Sequence, residues 1–119
     1  MSHIEHTLAF AVPRHEPPAL EVRVNFGVFA GREATPAEID ELASTLLEQV
    51  SAVSIVAEER HEIDGRSEAS IHQVRVEIGQ ESLPTDRAEL EQLGERVVAA
   101  AEQWAAACIA ERHVEVSEL

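Results

Sequence analysis

Residues 21–27 read Glu-Val-Arg-Val-Asn-Phe-Gly, and residues 73–79 read Gln-Val-Arg-Val-Glu-Ile-Gly. In both stretches apolar and polar residues alternate, a pattern typical of a strand with one buried face. A His-Glu pair precedes each stretch, and a helix-like segment with an acid-rich beginning follows it. The similarity predicts two copies of a strand-strand-helix unit, at about residues 4–50 and 53–113.

The first copy is expected to contain two strands. An apolar run at residues 4–12 predicts the first strand, and the prolines within residues 13–18 must interrupt it, because proline lacks the backbone N–H and has a fixed φ. Residues 20–29 then alternate between apolar and polar side chains, up to Gly31. This segment predicts a second, half-buried strand that ends at the glycine.

Two helices are expected, one in each copy. The sequence Thr-Pro-Ala-Glu at residues 35–38 combines an N-cap threonine, a proline in the first turn and a capping-box glutamate, so the first helix begins there. Thr85 or Asp86 is the expected cap of the second helix, which reaches about His113 and precedes a short strand at residues 114–116. The apolar stripe of this second helix consists of Leu90, Leu93, Val97, Ala101, Trp104 and Cys108.

A hairpin is expected in the second copy. The Asp-Gly dipeptide at residues 64–65 fits a two-residue type I′ turn. Such a turn places Ile63 opposite Arg66, and Ile55 then lies opposite Val74. The apolar residues of both strands share one face in this register, which supports it independently.

The order β-β-α-β-β-α predicts an α+β fold, a two-layer sandwich with a four-stranded antiparallel sheet and both helices on one face. The two Val-Arg-Val strands are expected side by side at its centre, antiparallel, about a pseudo-twofold axis. This arrangement resembles a ferredoxin-like sandwich permuted so that one edge strand comes first, an analogy of fold that implies no function. The length predicts a single domain over residues 1–119.

The composition limits the partners and the location of the protein. The formal net charge is −14 and every basic residue is arginine. A surface with this much negative charge repels nucleic-acid phosphates and anionic lipids, and neither is expected as a partner. A basic protein, in contrast, would be attracted. The alternative is that the acidic residues only keep the surface solvated. With no signal-peptide pattern and no apolar run of about 18 residues, a cytoplasmic location is expected.

The alanine-rich half of the second helix is a candidate subunit contact. At about 1.5 Å per residue, this helix is longer than the strands that it covers, so it is expected to overhang the sheet. Small side chains permit close approach of another chain, with Trp104 as the anchor and Ala101, Ala105 and Cys108 beside it. The competing explanation is that the alanines only favour helix and Trp104 belongs to the core. Cys108 itself is expected to be a buried, inert thiol.

The hairpin tip is a candidate metal site. In the expected register Glu59, His61, Glu68, Ser70 and His72 share one face of the hairpin. Imidazole and carboxylate ligands so placed can converge on zinc or manganese, or can hold a general base. The alternative is a solvated, charged hairpin that discourages pairing at the sheet edge. A similar but weaker pattern occurs at the N-terminus, where His3 and His6 flank a glutamate.

Arg23 and Arg75 are a candidate anion site. They occupy equivalent places in the two copies, on the predicted helix-free face of the sheet. Two guanidinium groups there can clamp the carboxylate or phosphate of a small anionic ligand. The alternative is that they pair with the neighbouring Glu21 and Glu77.

The functional hypothesis follows from these candidates. No glycine-rich phosphate loop, nucleophile elbow or zinc-binding helix motif occurs in the sequence, which argues against an enzyme, and no particular cofactor is indicated. The favoured hypothesis is a non-enzymatic binding or assembly module that forms a homo-oligomer through the alanine-rich helix or the open sheet face. The alternatives are a regulatory domain that binds a small anionic effector near Arg23 and Arg75, and a small metal-binding protein or enzyme that uses His61, His72 and neighbouring carboxylates.

Overall fold

An antiparallel sheet with helices packed against it makes up the described part of this computed structural model, which comprises residues 8–12 and 19–118. This architecture confirms the predicted α+β class. In chain order the elements are β1 (Ala9–Val12), β2 (Leu20–Val24), α1 (Phe26–Ala30), α2 (Pro36–Leu46), β3 (Ser54–Ile63), β4 (Glu68–Ile78), a 3₁₀ turn (Gln80–Ser82) and α3 (Arg87–Glu118).

The sheet has the strand order β1-β2-β4-β3, and all neighbouring strands are antiparallel. The two Val-Arg-Val segments form the central pair, with Arg23 opposite Arg75 and Val22 opposite Val76. Their adjacency at the centre of the sheet is the one that the sequence predicts. The edges of the sheet are β1 and β3.

The core lies between one face of the sheet and the helices. Because side chains alternate along a strand, the valines of β2 and β4 project to the same face, where they are buried. Helices α2 and α3 cover this face with their own apolar stripes, and each fully buried aliphatic side chain contributes roughly 1.5–3 kcal/mol. The main core residues are Val22, Val24, Leu42, Leu46, Val74, Val76, Ile78, Leu93, Val97 and Ala101.

The segment after β2 differs from the prediction. The strand expected over residues 20–29 ends at Val24, and α1 follows as a third helix where only two were predicted. The backbone N–H of Asn25 donates to the carbonyl of Leu8 (2.8 Å), after which Phe26 turns into the core and is fully buried. The alternation of apolar residues in this segment fits a strand. It fits equally well a short helix in which only the first residue is buried, so the periodicity alone could not distinguish the two.

The hairpin turn also differs from the prediction. The connecting residues are Gly65 and Arg66, and Gly65 does not have the positive φ that a type I′ turn requires. Instead, Asp64 Oδ1 accepts hydrogen bonds from the N–H groups of Arg66 (2.7 Å) and Ser67 (2.8 Å). These two bonds, that of Arg66 first, hold the pKa of Asp64 below its ordinary value.

The corrected turn moves the register of the hairpin by two residues. Ile63 lies opposite Glu68, and Ile55 lies opposite Val76 in place of Val74. Since side chains alternate with a period of two, a two-residue shift leaves every side chain on its predicted face.

The helix beginnings are as predicted, and the end of α3 is not. Thr35 Oγ1 accepts from the N–H of Glu38 (3.2 Å) and Glu38 Oε1 from the N–H of Thr35 (2.9 Å), which completes the capping box. Asp86 Oδ2 accepts from the N–H of Glu89 (3.0 Å). The helix α3 continues to Glu118, so its predicted end near residue 113 and the strand at residues 114–116 are wrong. No glycine or proline after Gly94 interrupts it.

Some predictions concern residues outside the described ranges. They are the strand residues 4–7, the proline-containing segment 13–18, and the N-terminal histidines His3 and His6.

Candidate functional site

The predicted interface residues of α3 lie inside the chain's own core. Ala101, Ala105, Cys108 and Trp104 are all buried, between 0% and 7% exposed. The Trp104 ring packs at 5.2 Å from that of Phe26, and its Nε1–H donates to the carbonyl of Glu38 (2.8 Å). The position of Trp104 therefore matches the alternative interpretation, in which this tryptophan belongs to the core of its own chain. A subunit contact through α3 stays a prediction, and it would need other positions of the helix.

The thiol of Cys108 is buried, as predicted. Burial raises the pKa of the Cys108 thiol to about 12, and the nearby carboxylate of Glu38 adds to this effect. The thiol therefore stays protonated near neutral pH, and nucleophilic chemistry at this cysteine is not supported.

An ion pair that the sequence analysis did not anticipate joins Arg32 to Glu38. The guanidinium group binds the carboxylate through two hydrogen bonds of 2.8 Å, and it lies 5.3 Å from the centre of the Phe26 ring. Arg32, and less strongly the N–H of Thr35, lower the pKa of Glu38 to about 2. The pair ties the loop after α1 to the start of α2. A spacing of six residues across a loop carries no sequence signal for such a pair.

This ion pair predicts a specific loss of stability in acid. The folded-state pKa of Glu38 (about 2) is lower than its ordinary value of 4.5, so the carboxylate stabilises the fold above pH 4.5 and this contribution disappears as the pH falls towards 2. We expect the difference in the free energy of unfolding between wild type and Glu38→Gln to be largest at pH 6 and to shrink towards pH 2. Urea denaturation across this range measures it. Glu48→Gln, at an exposed position just after α2, is the control; a pH-independent difference for Glu38→Gln would contradict the expectation.

Arg23 and Arg75 lie side by side on the face of the sheet opposite the core, each with a carboxylate. Arg23 Nε is 2.6 Å from Glu21 Oε2, and Glu21 is fully buried. Arg75 Nε is 2.9 Å from Glu77 Oε2, and Arg75 Nη1 is 3.5 Å from Glu58 Oε1. This arrangement matches the alternative of internal pairing. The anion clamp stays a prediction that the geometry does not favour, because an incoming anion would compete with these carboxylates.

The hairpin places the predicted metal ligands on one face, and two of them, Glu59 and His72, lie directly opposite each other. His61 lies between Glu59 (4.0 Å, from Nε2) and Glu68 (3.8 Å, from Nδ1). His72 instead lies 3.7 Å from Glu33, in the loop before α2. Among the residues whose side chains are described (8–12, 19–61 and 63–110), no group of three His, Cys, Asp or Glu is close enough to hold a metal ion. The metal site stays a prediction without support from this geometry.

Glu59 is held by a hydroxyl rather than by a cation. Ser70 Oγ donates to Glu59 Oε2, and this bond lowers the pKa of the exposed Glu59 carboxyl below its ordinary value. A carboxylate with a lowered pKa is a weaker base, which argues against Glu59 itself as the general base, and a general base at this hairpin stays a prediction.

The outer edge of β3 is a further feature of this region. The N–H of Asp64 donates to the carbonyl of Ser67 (3.0 Å), and hydrogen-bonded pairs alternate along an antiparallel ladder. Even-numbered residues of β3 therefore bond to β4, and odd-numbered residues direct their backbone groups outward. Among the described residues, no strand and no other backbone group pairs with this edge. The odd-numbered residues are Ile55, Ala57, Glu59, His61 and Ile63.

Comparisons with known proteins do not identify a family. No protein-family model, no curated protein and no solved structure gives a significant match to the chain. None of the helices in the described ranges combines the length and the apolar character needed to cross a membrane.

Proposed function

We propose that this chain is a non-enzymatic assembly module that forms a homo-oligomer when β3 pairs with β3 of a second copy. The observation that carries the proposal is the outer edge of this 10-residue strand, with which no residue in the described ranges pairs. A long edge strand exposes a row of N–H and C=O groups that another strand can bind. Of the two surfaces that the sequence suggested, α3 has its most apolar residues in the core, and the second sheet face carries internal ion pairs.

The proposal includes the finer architecture. The order β1-β2-β4-β3 suits a permuted ferredoxin-like sandwich with a pseudo-twofold axis. Exchanging β1 with β3 and β2 with β4 gives the order β3-β4-β2-β1, which is the same sheet seen from its other edge. In such a sheet the outer strand of either half can accept a further strand. The acidic surface and the expected cytoplasmic location are compatible with this assembly.

One antiparallel register satisfies every outward group of β3. About a twofold axis at Glu59, Ile55 faces Ile63 of the second copy and Ala57 faces His61, so all five outward-facing residues find partners. The same register brings together two apolar side chains, and Ile63 is 70% exposed in the single chain. Apolar cross-strand pairs stabilise a sheet by roughly 0.2–1 kcal/mol each.

Charges agree with this register except at its centre. On the other face of the strand, Glu58 lies opposite Arg60 of the second copy, which pairs opposite charges twice about the axis. At the axis, Glu59 faces its own symmetry mate, and like charges directly opposite each other weaken the pair. The proposal therefore predicts an association that is limited by one specific repulsion.

Ala57→Pro tests the proposal. The N–H of Ala57 points away from β4, so proline there removes no hydrogen bond within the chain but blocks a partner strand. We expect sedimentation equilibrium to show a dimer for the wild type and a monomer for Ala57→Pro, with the same circular dichroism spectrum. Glu59→Gln relieves the repulsion at the axis, and we expect it to strengthen the dimer.

Val56→Pro is the matched control, because the N–H of Val56 bonds to β4 and its loss should disturb the fold itself. A wild type that stays monomeric at the highest attainable concentration, or a dimer that Ala57→Pro leaves intact, would refute strand pairing at β3.

A further inference from the structure

A groove of about 590 Å³ lies between the first half of α3 and the sheet at β1 and β2. Its floor is apolar and consists mainly of Leu20, Leu90 and Val98, with Gly94 between the last two. Cavities of about 300–1,000 Å³ are the size that small ligands occupy. The groove adjoins β1, at the opposite edge of the sheet from β3, so it is separate from the surface proposed for assembly.

Gly94 lines the groove from α3. Leu90, Gly94 and Val98 are spaced by four residues and share one side of α3. A Cβ added to Gly94 would meet no atom within 4 Å, so close packing does not require glycine here. Glycine inside a helix costs about 1 kcal/mol relative to alanine. The space beside Gly94 is open, and a larger side chain at this position would reduce the volume of the groove.

The rim of the groove is acidic. Glu91, Glu95 and Glu102 line it from α3, and all three are exposed. Among the described residues that line the groove, none is basic. Arg87 Nε lies 3.8 Å from Oε1 of the rim residue Glu91, in a pair that is exposed to solvent. An anionic ligand would meet repulsion from three carboxylates and from a chain of net charge −14.

We infer that this groove binds a small amphipathic cation, with an alkyl or similar apolar portion along Leu20, Leu90 and Val98 and a protonated amine among the rim glutamates. Transfer of a hydrocarbon group from water to the apolar floor is favourable because of the hydrophobic effect. The carboxylates select the sign of the charged end, and this selection weakens as salt is added.

The test uses three probes of equal chain length: n-hexylamine, 1-hexanol and hexanoate, titrated into the full chain at pH 7 and followed by ¹H–¹⁵N correlation spectra. We expect saturable shifts around residues 90–98 with hexylamine, weaker binding of hexanol, and no binding of hexanoate. Gly94→Leu places a side chain in the groove, with no atom within 4 Å of its Cβ, and should abolish the hexylamine shifts. Glu95→Gln should weaken hexylamine binding about two- to fivefold, as expected for an exposed ion pair.

Matched control variants lie on the same helix outside the groove. Ala106→Leu introduces the same side chain at an exposed position of α3, and Glu89→Gln removes a carboxylate that does not line the cavity. Both should bind hexylamine like the wild type. Equal binding of hexylamine and hexanoate, or full binding by Gly94→Leu with an unchanged circular dichroism spectrum, would overturn the inference. Neither outcome depends on whether the chain forms a dimer through β3.

Discussion

Replacing Trp104 with alanine is expected to lower the free energy of unfolding by about 3–5 kcal/mol, the largest effect of any single change considered for this chain. The indole ring contacts Phe26 and the surrounding core, and only 7% of its surface is exposed. Its N–H also satisfies the carbonyl of Glu38, at the capped end of α2. Alanine removes the packing of three elements at once, because α1, α2 and α3 meet at this side chain.

Trp104→Phe separates the two contributions of the indole. It keeps an aromatic ring against Phe26 but removes the hydrogen bond from the indole N–H to the Glu38 carbonyl, and we expect a smaller loss, of about 1–3 kcal/mol. Urea denaturation followed by circular dichroism at one protein concentration measures both variants, because Trp104 is the only tryptophan and its fluorescence is lost. A loss below about 1 kcal/mol for Trp104→Ala would contradict the buried position and revive this tryptophan as a subunit anchor.

Replacing Gly27 with valine is expected to lower the free energy of unfolding by about 3 kcal/mol. A Cβ at position 27 would lie 2.8 Å from the backbone N, the backbone O and the Cβ of His72 in β4. Real Cβ atoms do not approach other atoms so closely, and the backbone of a central strand cannot move aside. Either α1 separates from the sheet, which exposes Phe26, or the strand distorts.

Gly94→Ala is the matched control for Gly27→Val in the same denaturation experiment. No atom lies within 4 Å of the added Cβ at Gly94, and alanine restores helix propensity, so we expect a gain of about 1 kcal/mol. Opposite signs at the two glycines would show that close approach, rather than backbone freedom, determines the need for glycine at position 27. A Gly27→Val variant as stable as the wild type would show that α1 is not held against β4.

The hairpin shows how far local sequence patterns reach. The faces of β3 and β4 could be predicted although the turn was wrong, because an error of two residues conserves the side-chain alternation. The segment from Phe26 to Phe29 could not, since its pattern suits both a strand and a short helix. The burial of Phe26 against Trp104 favours the helix over the strand, and this contact joins residues that are far apart in sequence.

The candidate sites follow the same division. The positions of Arg23 and Arg75 on adjacent strands could be predicted from their repeated context, but their pairing with Glu21, Glu77 and Glu58 depends on side-chain geometry in the folded sheet. The apolar stripe of α3 was visible in the sequence. Which of its residues face the core and which line a groove was not, because that depends on where β1 and β2 lie relative to the helix.

By itself the sequence determined the local elements of this protein: the capping box of α2, the cap of α3, the buried faces of the central strands and the acidic surface. These follow from hydrogen bonds and periodicities within a few residues. Only the tertiary structure decided that Trp104 is internal, that no described residue pairs with the outer edge of β3, and that Gly94 opens onto an acidic groove. Each of these depends on which distant segment lies beside it, and packing of the whole chain, rather than any local preference, sets that.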